Sequence, residues 1–289
     1  MRFGLSLLTS ADRDVAEDAR EAERLGFDMV TVMDHLPGER PTLETWTELT
    51  WAAAATERIL VAPNVLGLPY RHPAVTAKMA ESLQRLSGGR LVLGLGGGGS
   101  NDEFRRFGLP VREPREKVDA LEEALRIIRG LWSGDETTFE GRHYRVEDAR
   151  ISPSPDPAIP IWLGVYGKRS VTFVSRYADG WLPSYRFAPP ERRKELQDRI
   201  RTSAEEIGRD PDDLEMAYNV GVRVDERAEQ RPGMIAGAPE RVIEQMQALI
   251  DDGVTFLQLW AAGDQAEQRE RLAKEVMPNL SGQRRGTTT

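Results

Sequence analysis

Eight short apolar runs, each followed by a segment whose apolar residues recur every three or four positions, predict an α/β protein closed as a single (β/α)8 TIM barrel. The length, 289 residues, is long for one doubly wound sheet and ordinary for one barrel. The runs also end in loops rich in glycine and polar residues, as expected where a barrel carries its site. Residues 1–280 are expected to form the barrel, and residues 281–289 a tail with nothing to pack against.

The first strand is Arg2 to Leu8, and the helix after it, Arg13 to Leu25, places Val15, Ala19, Ala22 and Leu25 on one face before Gly26 ends it. Met29 to Met33 is the second strand and runs into Asp34-His35. Leu43 to Thr56 is helical, Ile59 to Ala62 is the third strand, and Pro73 opens the helix that stops at Gly88-Gly89. Leu91 to Leu95 is the fourth strand, Asn101 to Pro114 reads as a loop, and Arg115 to Trp132 is a strongly amphipathic helix. A small hairpin insertion follows that fourth long helix, with Thr137 to Phe139 and His143 to Arg145 flanking Glu140-Gly-Arg. Past a proline-rich connector, strands are expected at 161–165, 181–183, Glu215 to Val224 and Thr255 to Trp260. The helices between and after them are Val171 to Tyr177, Pro190 to Ile207, Pro239 to Asp252 and Gln265 to Val276.

Composition narrows the chemistry. The chain is 39% apolar and 30% charged with a net charge of −8, which gives no electrostatic case for nucleic acid and favours a small-molecule substrate. It has no cysteine, so thiolate nucleophiles, disulfides and cysteine metal sites are excluded, and its three histidines are too scattered to suggest a metal centre. No window is apolar enough for a membrane span and the amino terminus reads as a strand, so a cytoplasmic protein is expected.

The segment Gly94-Leu-Gly-Gly-Gly-Gly99 matches G-x-G-x-x-G as written. A dinucleotide fingerprint would need the first strand of its unit and an acid about 20 residues on. Three strand–helix units precede this loop, and Asp119 at that offset lies in a helical pattern, so the loop is read as a ligand cradle of another α/β architecture. His35 is the histidine at a strand's carboxyl end. It reads as a group touching a flavin-type ring or substrate, the alternative being an imidazole bonded to Asp34 or backbone. His72 is expected to be structural and His143 exposed. Gly167-Lys-Arg-Ser170 combines a turn, two cations and a helix start, the elements of a phosphate site. No serine, histidine and carboxylate stand out as an activated trio.

Asp34-His35, Arg71-His-Pro-Ala74, Leu86 to Gly96, Ala178-Asp-Gly-Trp181 and Ile235-Ala-Gly-Ala-Pro239 resemble the luciferase-like monooxygenase superfamily, and the likeness spans Arg2 to about Met277. The resemblance implies a barrel that binds coenzyme F420 or, alternatively, FMN at the strands' carboxyl ends. This chain looks most like the F420-dependent oxidoreductase branch. Asp34 and His35 would lie by the ring as the catalytic pair, and Asn64-Val65 would occupy a bulge where relatives carry a non-proline cis peptide, with Gly67 beyond it. Gly97, Gly98, Asp102, Tyr166, Gly167, Arg169 and Ser170 would take the rest of the cofactor. Sugar-phosphate dehydrogenases of that branch place an acid where this chain has Gly99-Ser100, which leaves Asp102 or Glu103 as a displaced acid. The implied function is hydride transfer between F420 and an organic substrate. The alternatives are an FMN-dependent monooxygenase and a non-catalytic deazaflavin-binding barrel. Relatives are often dimers, so Trp46 and Trp51 are candidates for a homodimer contact.

Overall fold

A computed structural model of the chain describes residues 1–8, 10–36, 41–229 and 231–280. The tail expected at 281–289 lies outside the described residues. The chain alternates strand and helix from the start: β1 (Arg2–Ser6), α1 (Val15–Arg24), β2 (Met29–Val32), α2 (Thr45–Ala55), β3 (Leu60–Pro63), β4 (Leu66–Gly67), α3 (Pro73–Leu86), β5 (Leu93–Gly96), α4 (Asn101–Arg106) and α5 (Pro114–Trp132). An antiparallel hairpin, β6 (Thr137–Glu140) and β7 (Arg145–Ala149), follows, then β8 (Ile161–Leu163), α6 (Thr172–Tyr177), β9 (Gly180–Trp181), α7 (Pro190–Glu206), β10 (Glu215–Val224), β11 (Met234–Gly237), α8 (Pro239–Asp251), β12 (Phe256–Ala261) and α9 (Gln265–Arg271).

The strands pair in parallel in the order β3-β2-β1-β12-β10-β9-β8-β5-β4, and a parallel bridge from Val61 to Leu91 joins the two ends. The sheet therefore closes into a barrel whose strands are β1, β2, β3, β5, β8, β9, β10 and β12, with β4 carrying β3 onward and helices outside. Three elements differ from the expectation. Leu66–Gly67, within the Pro63 to Pro73 segment read as loop, forms β4 by pairing with Leu95 and Gly96 of β5. Residues 101–106, read as loop, form α4, because the Ser100 hydroxyl accepts the Glu103 backbone N–H at 3.3 Å and acids lead a first turn that ends in arginines. Met234–Gly237 forms an added strand on β10, since parallel pairing at Gly221 to Val224 extends a run too short and small to signal itself. His143, expected to be exposed, is half-buried, with its backbone N–H donated to Glu123 at 2.8 Å.

Alternation along the strands builds two cores. Outward positions such as Leu5, Val30, Val61 and Leu257 pack beneath the helices, while Met29, Ala62, Val92, Trp162, Leu182, Ala217 and Phe256 fill the barrel's interior. One step nearer the carboxyl ends, the interior turns polar. Gln258 Nε2 donates to Thr31 Oγ1 at 2.9 Å and to Ser6 Oγ at 3.2 Å, and Gly4 is bare because a Cβ there would sit 1.9 Å from Gln258 Oε1. The first and last helices are tied by fully buried Arg269, which donates to Asp18 at 2.7 Å and Glu21 at 2.8 Å.

Glu48 on α2 is buried, and neither of its oxygens has a hydrogen-bond partner among the described residues. Burial, reinforced by the charge of Asp18, pushes its carboxyl up to about 7 from 4.5. The folded protein then holds a proton that the unfolded chain releases, so stability falls as pH rises through this window. Urea unfolding is expected to show the wild type losing on the order of 3 kcal/mol relative to Glu48→Gln between pH 4 and 8. Parallel pH profiles for the two proteins would contradict this.

Candidate active site at the barrel mouth

The carboxyl ends of the parallel strands converge at one mouth, and β2 delivers Asp34 and His35 to it. These neighbours have separate partners. Asp34 is buried; its Oδ2 accepts the Gly67 backbone N–H at 2.9 Å and an Arg71 guanidinium N–H at 3.0 Å, and Arg71 is also bonded to Glu44, the N-cap of α2. Asp34 thus anchors β4 and the Tyr70-Arg71 segment from within. The peptide between Asn64 and Val65 is cis, and the Asn64 N–H donates to Val32 O at 2.8 Å, which seats this bulge against the end of β2.

His35 remains exposed, and its Nδ1 lies 3.0 Å from Glu103 Oε2 on α4. Glu103 is buried and takes three donors, since its Oε1 also accepts the Leu36 N–H at 2.7 Å and the Tyr70 hydroxyl. Burial alone would raise its pKa, but the bonds from Tyr70, His35 and Leu36 outweigh that and hold the carboxyl below its ordinary value. Glu103 is therefore an anion at neutral pH and can only accept. That assigns a proton to His35 Nδ1, so that in the neutral imidazole Nε2 carries the lone pair. Burial and the bond to Glu103 both push the Tyr70 hydroxyl's pKa far up, so it stays a neutral donor.

The glycine loop serves two ends. Gly94 and Gly96 belong to packing: a Cβ at Gly94 would meet Pro63 O at 2.1 Å, and one at Gly96 would meet Val65 Cγ2 at 2.8 Å. Gly97 packs against Lys117, whose ammonium donates to Gly98 O at 2.9 Å, and Gly98 has φ +88°, which favours glycine. A Cβ at Gly99 would meet nothing within 4 Å. Among the described residues the backbone N–H groups of Gly98, Gly99 and Ser100 have no acceptor. The turn after β8 has the same character. Ser170 Oγ bonds back to Gly167 N and O, which sets the turn, while the N–H groups of Lys168, Arg169 and Ser170 have no acceptor among the described residues. Tyr166 is half-buried and its hydroxyl accepts the Ser184 N–H at 3.1 Å.

The structure thus brings together His35, the Asn64-Val65 bulge, Gly67, Gly97, Gly98, Tyr166, Gly167 and Ser170 around one mouth. The Arg169 backbone lies in the turn after β8, while its guanidinium pairs with Asp119 and Glu122 on α5; Asp102 is turned elsewhere, exposed and paired with Arg105 at 2.6 Å. Tyr70 and Arg71 escaped the sequence reading as site residues, although both lie in the Pro63 to Pro73 loop. The signal for Glu103 over Asp102 was the Ser-x-x-Glu start of a capped helix at Ser100.

A barrel mouth with a tethered imidazole beside two adjoining loops whose backbone N–H groups lack acceptors among the described residues is a candidate small-molecule site. Residues 1–234 match the model of the luciferase-like monooxygenase family, and the chain belongs to that family. It is 32% identical over 276 residues to an F420-dependent glucose-6-phosphate dehydrogenase of Nakamurella multipartita, covering 87% of this chain and 79% of that protein. It is 34% identical over 214 residues to an F420-dependent hydroxymycolic acid dehydrogenase of Mycobacterium tuberculosis, covering 70% of this chain and 56% of the relative. Among solved structures, an F420-dependent secondary alcohol dehydrogenase in complex with an F420-acetone adduct superposes with a TM-score of 0.87 at 21% identity, covering 97% of this chain and 99% of that one. This confirms the barrel fold.

Proposed function

We propose that this protein is an oxidoreductase that moves a hydride between coenzyme F420 and an organic substrate. The observation that carries the reading is the placement of an exposed, tethered His35 at the same mouth as two loops whose backbone N–H groups lack acceptors. The relatives named as F420-dependent supply the choice of cofactor.

The residues present fit such a group. The bulge at Asn64-Val65 and Gly67 would back the ring, while the donors of Gly98 to Ser100 and of Lys168 to Ser170 would hold its hydroxyl and phosphate groups. The open space at Gly99 lets bare backbone approach. When bound, the deazaflavin supplies a carbon that accepts or gives a hydride. His35 does the proton work: Nε2 takes the proton from a substrate hydroxyl as its carbon is oxidised, and returns it in reverse. Glu103 keeps the imidazole in the tautomer and orientation that leave Nε2 free. The Leu36 N–H and Tyr70 hydroxyl keep that carboxylate anionic. Asp34, saturated by Gly67 and Arg71, acts on the loop's shape rather than on a proton.

We also propose a homodimer through α2 and α3. Trp51 is 65% and Leu86 80% exposed, and Leu86 lines a groove of about 220 Å³ between the two helices together with Trp46, Thr50, Met79 and Leu83 and with the polar Lys78 and Ser82.

Three measurements test these readings. Titration of the purified protein with F420 and with FMN, followed by fluorescence quenching, is expected to give tighter binding of F420. His35→Ala should keep that binding while losing about 10²–10⁴-fold in turnover. Tighter FMN binding, or full turnover in the variant, would overturn the proposal. Sedimentation should show a dimer that Trp51→Asp converts to a monomer, and a wild-type monomer would exclude the dimer.

A further inference from the structure

The proposed cradle occupies the sector of the mouth above β3, β4, β5 and β8, and the opposite sector, above β9, β10, β12, β1 and β2, has a different surface. Its floor follows from the alternation that sets the interior. On β12, Phe256 lies in the interior cluster and Gln258 in the polar layer, so Trp260 is the next inward residue. Its neighbour in register on β10 is Gly221, where a Cβ would lie 3.4 Å from Trp260 Cε3 and 3.3 Å from Gly233 O. On β2, Met29 and Thr31 are inward, and Met33 comes next.

Trp260 is 39% exposed and Met33 42%, and Phe187, in the loop after β9, is 55% exposed. These are large apolar side chains, and Trp260 and Met33 stand one inward step above a layer in which Ser6, Thr31 and Gln258 bond one another while Gln258 Oε1 has no hydrogen-bond partner among the described residues. Four arginines among the described residues border this side, and one of them, Arg231, lines a hollow with Arg223 and Met234. Arg223 pairs with Asp225 at 2.6 Å, Arg192 donates to the carbonyls of Phe187 and Tyr166, and Arg186 lies over the Phe187 ring at 5.8 Å.

We infer that the substrate carries an extended apolar body, an alkyl or aryl secondary alcohol or its ketone, seated on Trp260, Met33 and Phe187, rather than a sugar phosphate. The inference rests on the F420 reading for its chemistry. In the oxidation direction the carbinol C–H bond breaks and its electron pair leaves as hydride to the deazaflavin. The O–H proton goes to His35 Nε2 and the C–O bond becomes C=O, so the alcohol is oxidised and the deazaflavin reduced.

The test uses the full chain and two separate readouts. Deazaflavin fluorescence reports F420 binding, and calorimetry reports binding of 2-butanol, 2-hexanol, 2-octanol and glucose 6-phosphate. Affinity should rise about fourfold per added methylene, the value for burying one CH2 in an apolar site. Trp260→Ser should flatten that rise, while glucose 6-phosphate should bind more weakly than 2-octanol. Affinities that do not rise along the series, or tighter binding of glucose 6-phosphate, would overturn the inference. A rising series in a protein that binds no F420 would keep the apolar site and remove the cofactor reading instead.

Discussion

The close approach of the β3–β4 bulge to its neighbours is the constraint from which the mouth is built. The side chain of Val65 and the carbonyl of Pro63 fill the space in which β5 and β8 would carry side chains. A Cβ at Gly164 would lie 3.0 Å from Val65 Cγ2, much as at Gly96, and the carbonyl bars one at Gly94. Because this corner is packed by backbone against a single valine, the chain can turn from Pro63 into Leu66 and still pair with β5 at Leu95 and Gly96. Everything proposed for the cofactor sector hangs on that turn.

From the bulge the order passes through charge. Asp34 fixes Gly67 and Arg71, Arg71 reaches the cap of α2, and the intervening Tyr70 reaches across to Glu103. Glu103 in turn holds His35. A buried carboxylate is costly unless its lone pairs are used, and here three donors from two loops converge on it. The same short helix that supplies Glu103 is held by Ser100, at the end of the glycine loop. The loop that offers bare backbone to a ligand and the residue that orients the imidazole are therefore one piece of structure.

Much of the fold was legible because period and punctuation agree: short apolar runs for strands, helices with one apolar face, and glycines at positive φ at Gly26, Gly88 and Gly253. Met234–Gly237 was not, since so short a run becomes a strand only through pairing with β10. The site was legible in its residue types more than in its directions. His35 and the Gly97 to Ser100 loop stand where the strand ends place them. The choice between Asp102 and Glu103 depended on about 100° of helix rotation, which a segment read as loop cannot supply. Arg169 reads as a phosphate ligand from its turn, yet the acids that claim it, Asp119 and Glu122, come from a helix about 50 residues away in sequence. Glycines raise the same difficulty: nothing in the run distinguishes Gly94, fixed by packing, from Gly99, left open.

The central claim is that one mouth, framed by the bulge and two donor loops, receives the deazaflavin. Amide hydrogen exchange with and without saturating F420 tests it most directly, because the unbonded N–H groups themselves are read. The account predicts slowed exchange at residues 64–67, 98–100 and 168–170, with the α2–α3 face and the β6–β7 hairpin unchanged. Protection that leaves those three segments untouched, whether it falls elsewhere or nowhere, would contradict it.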